Sequence, residues 1–260
     1  MKMILFVFLF SISAWAKQIV LVSYFDAFGN APFNNSEVVA QGLSKRFANH
    51  PELELRICSL QTVFDKSFYE LQNCINELPK PPSLVLGLGE YGCKLKVETI
   101  IRNFDHTEGP DNDGIERKNS PIFLDGPSEI GLNYPLPAMY CALQQDERKS
   151  IEISNNAGSF VCNNVAYQFT NTFHEIPFGF IHVMAHDCSR LAPKTQEAIG
   201  ILSKMILKAS SIENIERLKT KKQELQELRK KYSTDECLKD FYQRTKGIDE
   251  KGLWPFSWIK

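Results

Sequence analysis

Two mostly apolar runs constrain the fold of this chain most strongly, because each is too continuous for a strand with one face in water. They are residues 18–25 (QIVLVSYF) and 83–88 (SLVLGL). A strand exposed on one face alternates apolar and polar side chains, whereas a strand covered on both faces does not. Both runs therefore predict buried strands, and residues 178–183 (FGFIHV) have a third strand pattern.

Helical patterns lie between these strands. Apolar residues recur at helical spacing in 64–78 and 194–209, and Asn35 is a suitable first residue for another helix. Residues 53–57 (LELRI) alternate in the manner of an edge strand. The alternation predicts an α/β fold, a three-layer sandwich with a largely parallel twisted central sheet and helices on both faces.

Four weaker patterns complete this domain. Residues 97–104 are predicted as a strand, 136–145 as a helix and 150–153 as a short strand, and residues 157–162 (AGSFVC) open a helix.

The first sixteen residues have the pattern of a secretory signal peptide. Lys2 precedes the apolar run 4–12, and SAWA (13–16) supplies small residues before a cleavage point at Lys17. The run is shorter than the roughly 20 residues of a membrane-spanning helix. We therefore expect an exported mature chain, periplasmic or secreted, with no membrane span. The alternative is a buried first strand.

Export would give the seven cysteines a structural use. They are consistent with up to three disulfides and one free thiol in an oxidising compartment. No Cys-x-x-Cys motif occurs, so a structural zinc site is not expected. The 30 Lys and Arg residues balance 31 Asp and Glu residues, which gives no electrostatic reason to expect nucleic acid as a partner.

The composition changes from about residue 210. Apolar residues punctuate a Lys/Glu-rich run over 212–232, and the tail 253–259 (LWPFSWI) is strongly apolar. We expect a helical extension that packs on the preceding domain or on a partner. The predicted organisation is a signal peptide (1–16), an α/β domain (17–209) and a C-terminal helical extension (210–260).

Cys162 differs from the other cysteines in its position at the start of a predicted helix. The free N–H groups and positive potential there favour a thiolate and can hold an oxyanion. A nucleophilic thiolate needs a nearby base, and His182 lies in the strand that follows. These features alone leave open that both residues are ordinary core residues.

Four separated segments carry a more specific pattern. They are FDAFG (25–29) followed by NNS (34–36), Glu98 with Asn103 and PDNDG (110–114), AGSFVCN (157–163), and GFIHV (179–183). In order and spacing these segments, over residues 18–209, resemble the pyroglutamyl peptidase I (pyrrolidone-carboxylate peptidase) family of cysteine exopeptidases. Those enzymes remove an N-terminal pyroglutamyl residue from peptides.

The resemblance implies a role for three residues. Cys162 would be the nucleophile, His182 the general base and then acid, and Glu98 a supporting carboxylate. The reaction would pass through an acyl-thioenzyme with a peptide as substrate, and no metal or organic cofactor is required. Family members often form oligomers, so the resemblance is compatible with an oligomer here.

A pyroglutamyl ring is small, flat and uncharged, and aromatic faces with a few polar contacts would suit it. The candidate substrate-binding residues are Phe25, Phe28, Leu88, Gly109, Phe160 and Val161. Leu88 stands where the family has Gln, and Glu108-Gly109 replaces the family's Arg-Ile pair.

These departures leave two alternatives to pyroglutamyl peptidase activity. One is a catalytically weakened protein that binds peptide ends, and the other is an amidase or peptidase of shifted specificity.

Overall fold

The computed structural model of the chain describes residues 17–211 and 235–245. The predicted signal peptide, the Lys/Glu-rich run at 212–232 and the apolar tail lie outside the described residues. In the part that is described, no helix has the length and hydropathy needed to cross a membrane.

A six-stranded sheet forms the centre of the molecule. Its strands are β1 (Gln18–Phe25), β2 (Leu53–Leu60), β3 (Leu84–Glu90), β4 (Leu95–Glu98), β7 (Ile151–Ser154) and β8 (Phe178–Val183). Their spatial order is β2-β1-β3-β8-β4-β7. The first four in spatial order are parallel, while β4 is antiparallel to β8 and parallel to β7. The prediction of a largely parallel α/β sheet is confirmed, with β2 at the edge.

Helices cover this sheet. They are α1 (Asn35–Phe47), α2 (Lys66–Asn76), α3 (Leu136–Cys141), α4 (Gln145–Lys149), α5 (Val161–Thr172), α6 (Leu191–Ser210) and α7 (Glu236–Arg244). Helix α1 packs against α6, and α2 packs against α5. The Asn34 side chain caps α1 by accepting a hydrogen bond from the Ser36 N–H at 3.0 Å, which satisfies one free donor of the first turn.

Two segments differ from the sequence predictions. The single strand predicted at 97–104 is divided at Thr99, so that β4 joins the main sheet while β5 (Ile100–Arg102) pairs with β6 (Glu129–Gly131). The Thr99 N–H and hydroxyl both donate to the Ser154 carbonyl, at 2.9 and 2.7 Å, and hold the chain at this break. The helix predicted at 136–145 is divided between α3 and α4.

Three disulfides form, the largest number expected from the sequence, and Cys162 is the one free cysteine among the described residues. The pairs are Cys58–Cys74, Cys93–Cys188 and Cys141–Cys237. The second pair joins the segments that follow β3 and β8, and the third attaches α7 to α3.

Candidate active site

Cys162 lies in the first turn of α5, where the backbone N–H groups have no partner within the helix. It is the second residue of that helix, half-buried, and its sulfur is not part of a disulfide. Gly158, with a φ of 82°, permits the left-handed turn that brings the chain into the helix. The position exposes the sulfur to the positive end of the helix dipole and to the free N–H donors.

A glycine opposite His182 makes room for the thiol. In the parallel pairing of β3 and β8, Gly89 is the partner of His182. A Cβ placed on Gly89 would lie 2.8 Å from the Cys162 Sγ and 3.2 Å from the His182 Cδ2. These contacts place the sulfur and the imidazole over the same residue of the sheet.

Glu98 is the last residue of β4, which lies on the other side of β8 from β3. With Cys162 and His182 it forms a row of three side chains, called the catalytic row below. The His182 Nδ1 lies 2.8 Å from the Glu98 Oε1, and both side chains are buried. The Tyr134 hydroxyl donates to the Glu98 carbonyl oxygen at 2.9 Å, which fixes the end of β4. With Nδ1 directed to the carboxylate, His182 has Nε2 left for the Cys162 sulfur.

The surroundings of His182 hold its pKa at about 9, above the ordinary 6.5. Burial lowers this pKa, but the hydrogen bonds to Cys162 and to Glu98 raise it further than burial lowers it. The imidazole is therefore protonated at neutral pH and can act as a proton donor.

The residue after the nucleophile attaches the helix to the small sheet. The Asn163 Oδ1 accepts from the Arg102 N–H at 2.8 Å, and its Nδ2 donates to the carbonyls of Arg102 and Phe104 at 2.8 and 3.0 Å. This side chain is fully buried. The Asn of the AGSFVCN motif thus fixes the position of the thiol rather than contacting it.

The PDNDG segment orders the loop that carries Phe28. The Asn112 Nδ2 donates to the Ala27 carbonyl at 2.9 Å, and the Gly29 N–H donates to the Asn112 Oδ1 at 3.1 Å. Asp111 accepts from the N–H of Phe64 at 2.9 Å. Although they are distant in sequence, the FDAFG and PDNDG motifs form one unit.

Among the predicted substrate-binding residues, the structure brings Phe28 and Phe160 together. Their ring centroids are 5.1 Å apart, edge to face, and the Phe28 ring is 41% exposed. Phe160 is the residue before α5 and also packs on Phe64 at 5.3 Å. The two rings form an accessible aromatic wall two residues from the nucleophile.

The other four take different positions. Phe25 and Val161 are buried in the core, and Gly109 borders open space in a loop. Leu88 is fully buried and, by strand alternation, faces away from Gly89 and therefore away from the thiol. The Leu88 side chain therefore lies on the opposite face of β3 from the sulfur, because its neighbour Gly89 is the residue beneath the sulfur.

A cleft of about 470 Å³ beside His182 was not found from the sequence. Tyr91, Lys96, the 152–158 segment and Arg244 of α7 line it. The sequence pattern could have identified Lys96 as a residue near the site, because it precedes Glu98 by two residues and therefore lies on the same face of β4. No sequence pattern places Arg244 near the site, since its position depends on how α7 packs.

The described residues include one group of side chains close enough to ligate a metal, namely Cys141, Asp235 and Cys237. Both of its sulfurs are bonded to each other in a disulfide, so neither is available as a thiolate ligand. The group lies outside the row of Cys162 and His182 and supplies nothing to it.

Comparisons with known proteins show the family and the fold of this chain. The family model described as pyroglutamyl peptidase matches residues 18–212. A pyrrolidone-carboxylate peptidase of Thermosipho melanesiensis is 31% identical over 170 residues, which cover 63% of this chain and 81% of that protein. One from Streptococcus pyogenes is 33% identical over 151 residues, covering 57% and 67%.

Solved structures show the same fold at lower identity. Pyroglutamyl peptidase I of Bacillus amyloliquefaciens has a TM-score of 0.64 and 21% identity, and the match covers 75% of this chain and 98% of that one. A mutant pyrrolidone carboxyl peptidase of Pyrococcus furiosus has a TM-score of 0.62 and 23% identity, with coverage of 74% and 98%. With the family model matching most of its length, the chain belongs to the pyroglutamyl peptidase family.

Proposed function

We propose that this protein is a cysteine exopeptidase that removes an N-terminal pyroglutamyl residue from peptides. The observation that carries the proposal is the row of Cys162, His182 and Glu98 beside the aromatic wall of Phe28 and Phe160. The row supplies a nucleophile, a proton carrier and a group that orients it. The wall supplies a flat apolar surface for an uncharged lactam ring.

The reaction begins with the sulfur of Cys162 facing a protonated His182. The sulfur, as a thiolate, attacks the pyroglutamyl carbonyl carbon. The oxyanion that forms is stabilised by free backbone N–H groups at the start of α5. His182 then donates its Nε2 proton to the departing amine nitrogen as the carbon–nitrogen bond breaks.

The acyl-thioenzyme is hydrolysed by the reverse proton movement. Neutral His182 takes a proton from water, and the resulting hydroxide attacks the thioester carbonyl. The carbon–sulfur bond breaks, which releases pyroglutamate and restores the thiolate beside a protonated imidazole. Throughout both steps Glu98 accepts the hydrogen bond from Nδ1 and keeps Nε2 directed at the reacting atoms.

We also propose that the protein is exported and that residues 1–16 are removed. Three disulfides within the described residues support this, because such bonds form and persist mainly in oxidising compartments. Sequencing the N-terminus of protein recovered from the periplasm or medium tests it. A first residue of Lys17 is expected, and cytoplasmic protein with an intact Met1 would contradict it.

The activity is tested with purified oxidised protein on a pyroglutamyl coumarin amide, beside prolyl and alanyl amides of the same reporter. We expect release from the pyroglutamyl substrate alone and none from Cys162→Ala. Cys162→Ser provides the conservative control, and circular dichroism shows that both variants fold. Equal rates for the wild type and Cys162→Ala would refute the proposal, and binding without turnover would favour the peptide-end binding alternative.

A further inference from the structure

The cleft beside His182 lies next to the residue that must protonate the leaving amine. Lys96 is directly opposite His182 in the antiparallel pairing of β4 and β8, so the two side chains stand on the same face of the sheet. The Tyr91 ring lies 5.6 Å from the imidazole, and the Lys96 Nζ lies 4.8 Å from the centre of that ring. The cleft is therefore bordered by His182, the side chain that carries the proton.

The aromatic wall of Phe28 and Phe160 does not contribute to the lining of this cleft. On the proposed function, on which this inference rests, the wall takes the acyl portion of the substrate. The leaving portion of the substrate is attached to the nitrogen that His182 protonates. Since His182 borders the cleft, the leaving portion can lie in the cleft. Its volume of about 470 Å³ is within the usual range for small-molecule sites, which is enough for a short peptide segment.

Cations predominate around the cleft. Lys96 and Arg244 line it with one acidic side chain, Glu152. An adjoining recess of about 300 Å³ shares Glu152 and Arg244 and adds Lys94 and Lys149. Glu152 is already paired with two of these lysines, with contacts of 3.7 Å to Lys94 and 3.5 Å to Lys96. The lining thus carries positive charge in excess of the acid it contains.

Arg244 is positioned to receive a carboxylate. Asp240 contacts its Nε at 3.1 Å, and its two Nη groups make no hydrogen bond to the described residues. Paired N–H groups of this kind match the two oxygens of a carboxylate.

The helix that carries Arg244 is firmly attached to the domain. Cys237 bonds to Cys141 of α3, Phe241 is fully buried with its ring 5.3 Å from that of Tyr140, and the Tyr140 hydroxyl donates to Asp240 at 3.1 Å. Because α7 is attached by a covalent bond and by buried contacts, the backbone of Arg244 is held at the wall of the cleft.

We propose that the cleft is a subsite for the leaving peptide, and that Arg244, together with Lys96, binds a carboxylate on that peptide. The carboxylate is supplied either by the C-terminus of a short peptide or by an acidic side chain just after the scissile bond. The proposal makes Arg244 a specificity-determining residue supplied by the C-terminal extension.

The test compares kcat/KM for matched substrates. Pyroglutamyl-alanine with a free C-terminus is compared with its amide, which measures the terminal carboxylate. Pyroglutamyl-aspartate amide is compared with pyroglutamyl-asparagine amide, which measures the side chain. We expect one of the acid-to-amide ratios to be about tenfold in the wild type and to approach one in Arg244→Gln. Arg244→Lys should retain part of the preference, because it keeps the charge but not the paired geometry.

The matched control is Arg56→Gln, on β2 at the opposite edge of the sheet, where the ratios should equal those of the wild type. A wild-type ratio near one for both pairs would overturn the subsite. A large ratio that Arg244→Gln leaves unchanged would overturn the assignment of Arg244.

These outcomes are distinct from failure of the proposed function, which would appear as no release from a neutral pyroglutamyl coumarin amide. Calorimetric binding of the same four peptides to Cys162→Ala measures the carboxylate preference without turnover. Equal affinities for acid and amide there would overturn the subsite independently of catalysis.

Discussion

Replacing Glu98 with Gln should move the alkaline limb of the pH–rate profile to lower pH. His182 donates a proton in the first chemical step, so activity should persist while the imidazole is protonated and decline as the pH rises through its pKa of about 9. Gln is nearly isosteric, and its amide oxygen can still accept a hydrogen bond from Nδ1 at the position of Oε1. The negative charge is what the substitution removes.

The structure indicates the size of the change. The rise from 6.5 to about 9 corresponds to about 3 kcal/mol in favour of the protonated imidazole. Burial of His182 lowers its pKa, and the interactions with Cys162 and Glu98 raise the pKa in spite of that burial. Without the Glu98 charge the burial remains, so the pKa of His182 should fall by about one unit or more.

The assay is kcat/KM for the pyroglutamyl coumarin amide from about pH 6 to 10.5, with an NMR titration of the His182 ring as a readout independent of turnover. The control is Glu90→Gln, because Glu90 pairs with His186 at the same 2.8 Å but lies outside the row. Its alkaline limb should stay at about 9. If the pKa of the alkaline limb in Glu98→Gln lies within about 0.3 units of the wild-type value, the role given to the carboxylate is refuted.

Three further variants test the site and the disulfide that attaches α7. Gly89→Ala should lower kcat by about tenfold to a hundredfold because its Cβ would displace the sulfur, and an unchanged kcat with an unchanged melting temperature would contradict the close approach. Phe28→Ala should raise KM for pyroglutamyl substrates about tenfold, and the matched control is Tyr69→Ala at another exposed aromatic residue. If Phe28→Ala and the wild type have equal KM values, the aromatic wall does not bind the substrate. The double replacement Cys141→Ser and Cys237→Ser opens a loop of sequence separation 96 and should lower the free energy of unfolding by about 2–4 kcal/mol. Urea unfolding measures this, and equal midpoints for the double variant and the wild type would contradict it.

The sequence predicted the elements whose signal is local. The runs that became β1 and β3 are buried on both faces, and β2 has the burial pattern of an edge strand. Cys162 and His182 could be selected because a helix start and a strand each leave a clear pattern. The motif spacing then identified Glu98 as their partner.

What the sequence did not predict depends on contacts between distant segments. The antiparallel direction of β4 follows from its pairing with β8, which no local pattern records. The strand predicted at 97–104 is divided because β4 pairs with β7 and β8 while residues 100–102 pair with β6. The opposite orientations of Leu88 and Gly89 required the register of β3 against β8, since a shift of one residue would exchange their faces.

The Cys93–Cys188 disulfide has a consequence for how the site forms during folding. Pairing of β3 with β8 is what sets Gly89 opposite His182, and it joins segments about 95 residues apart. Closing a loop of that length in a reduced chain costs entropy before any contact compensates for it. Once this bond has formed, the two strands are held near each other even in an unfolded chain. Oxidation should therefore accelerate assembly of the catalytic row, so that newly made protein gains activity at the rate at which its cysteines pair.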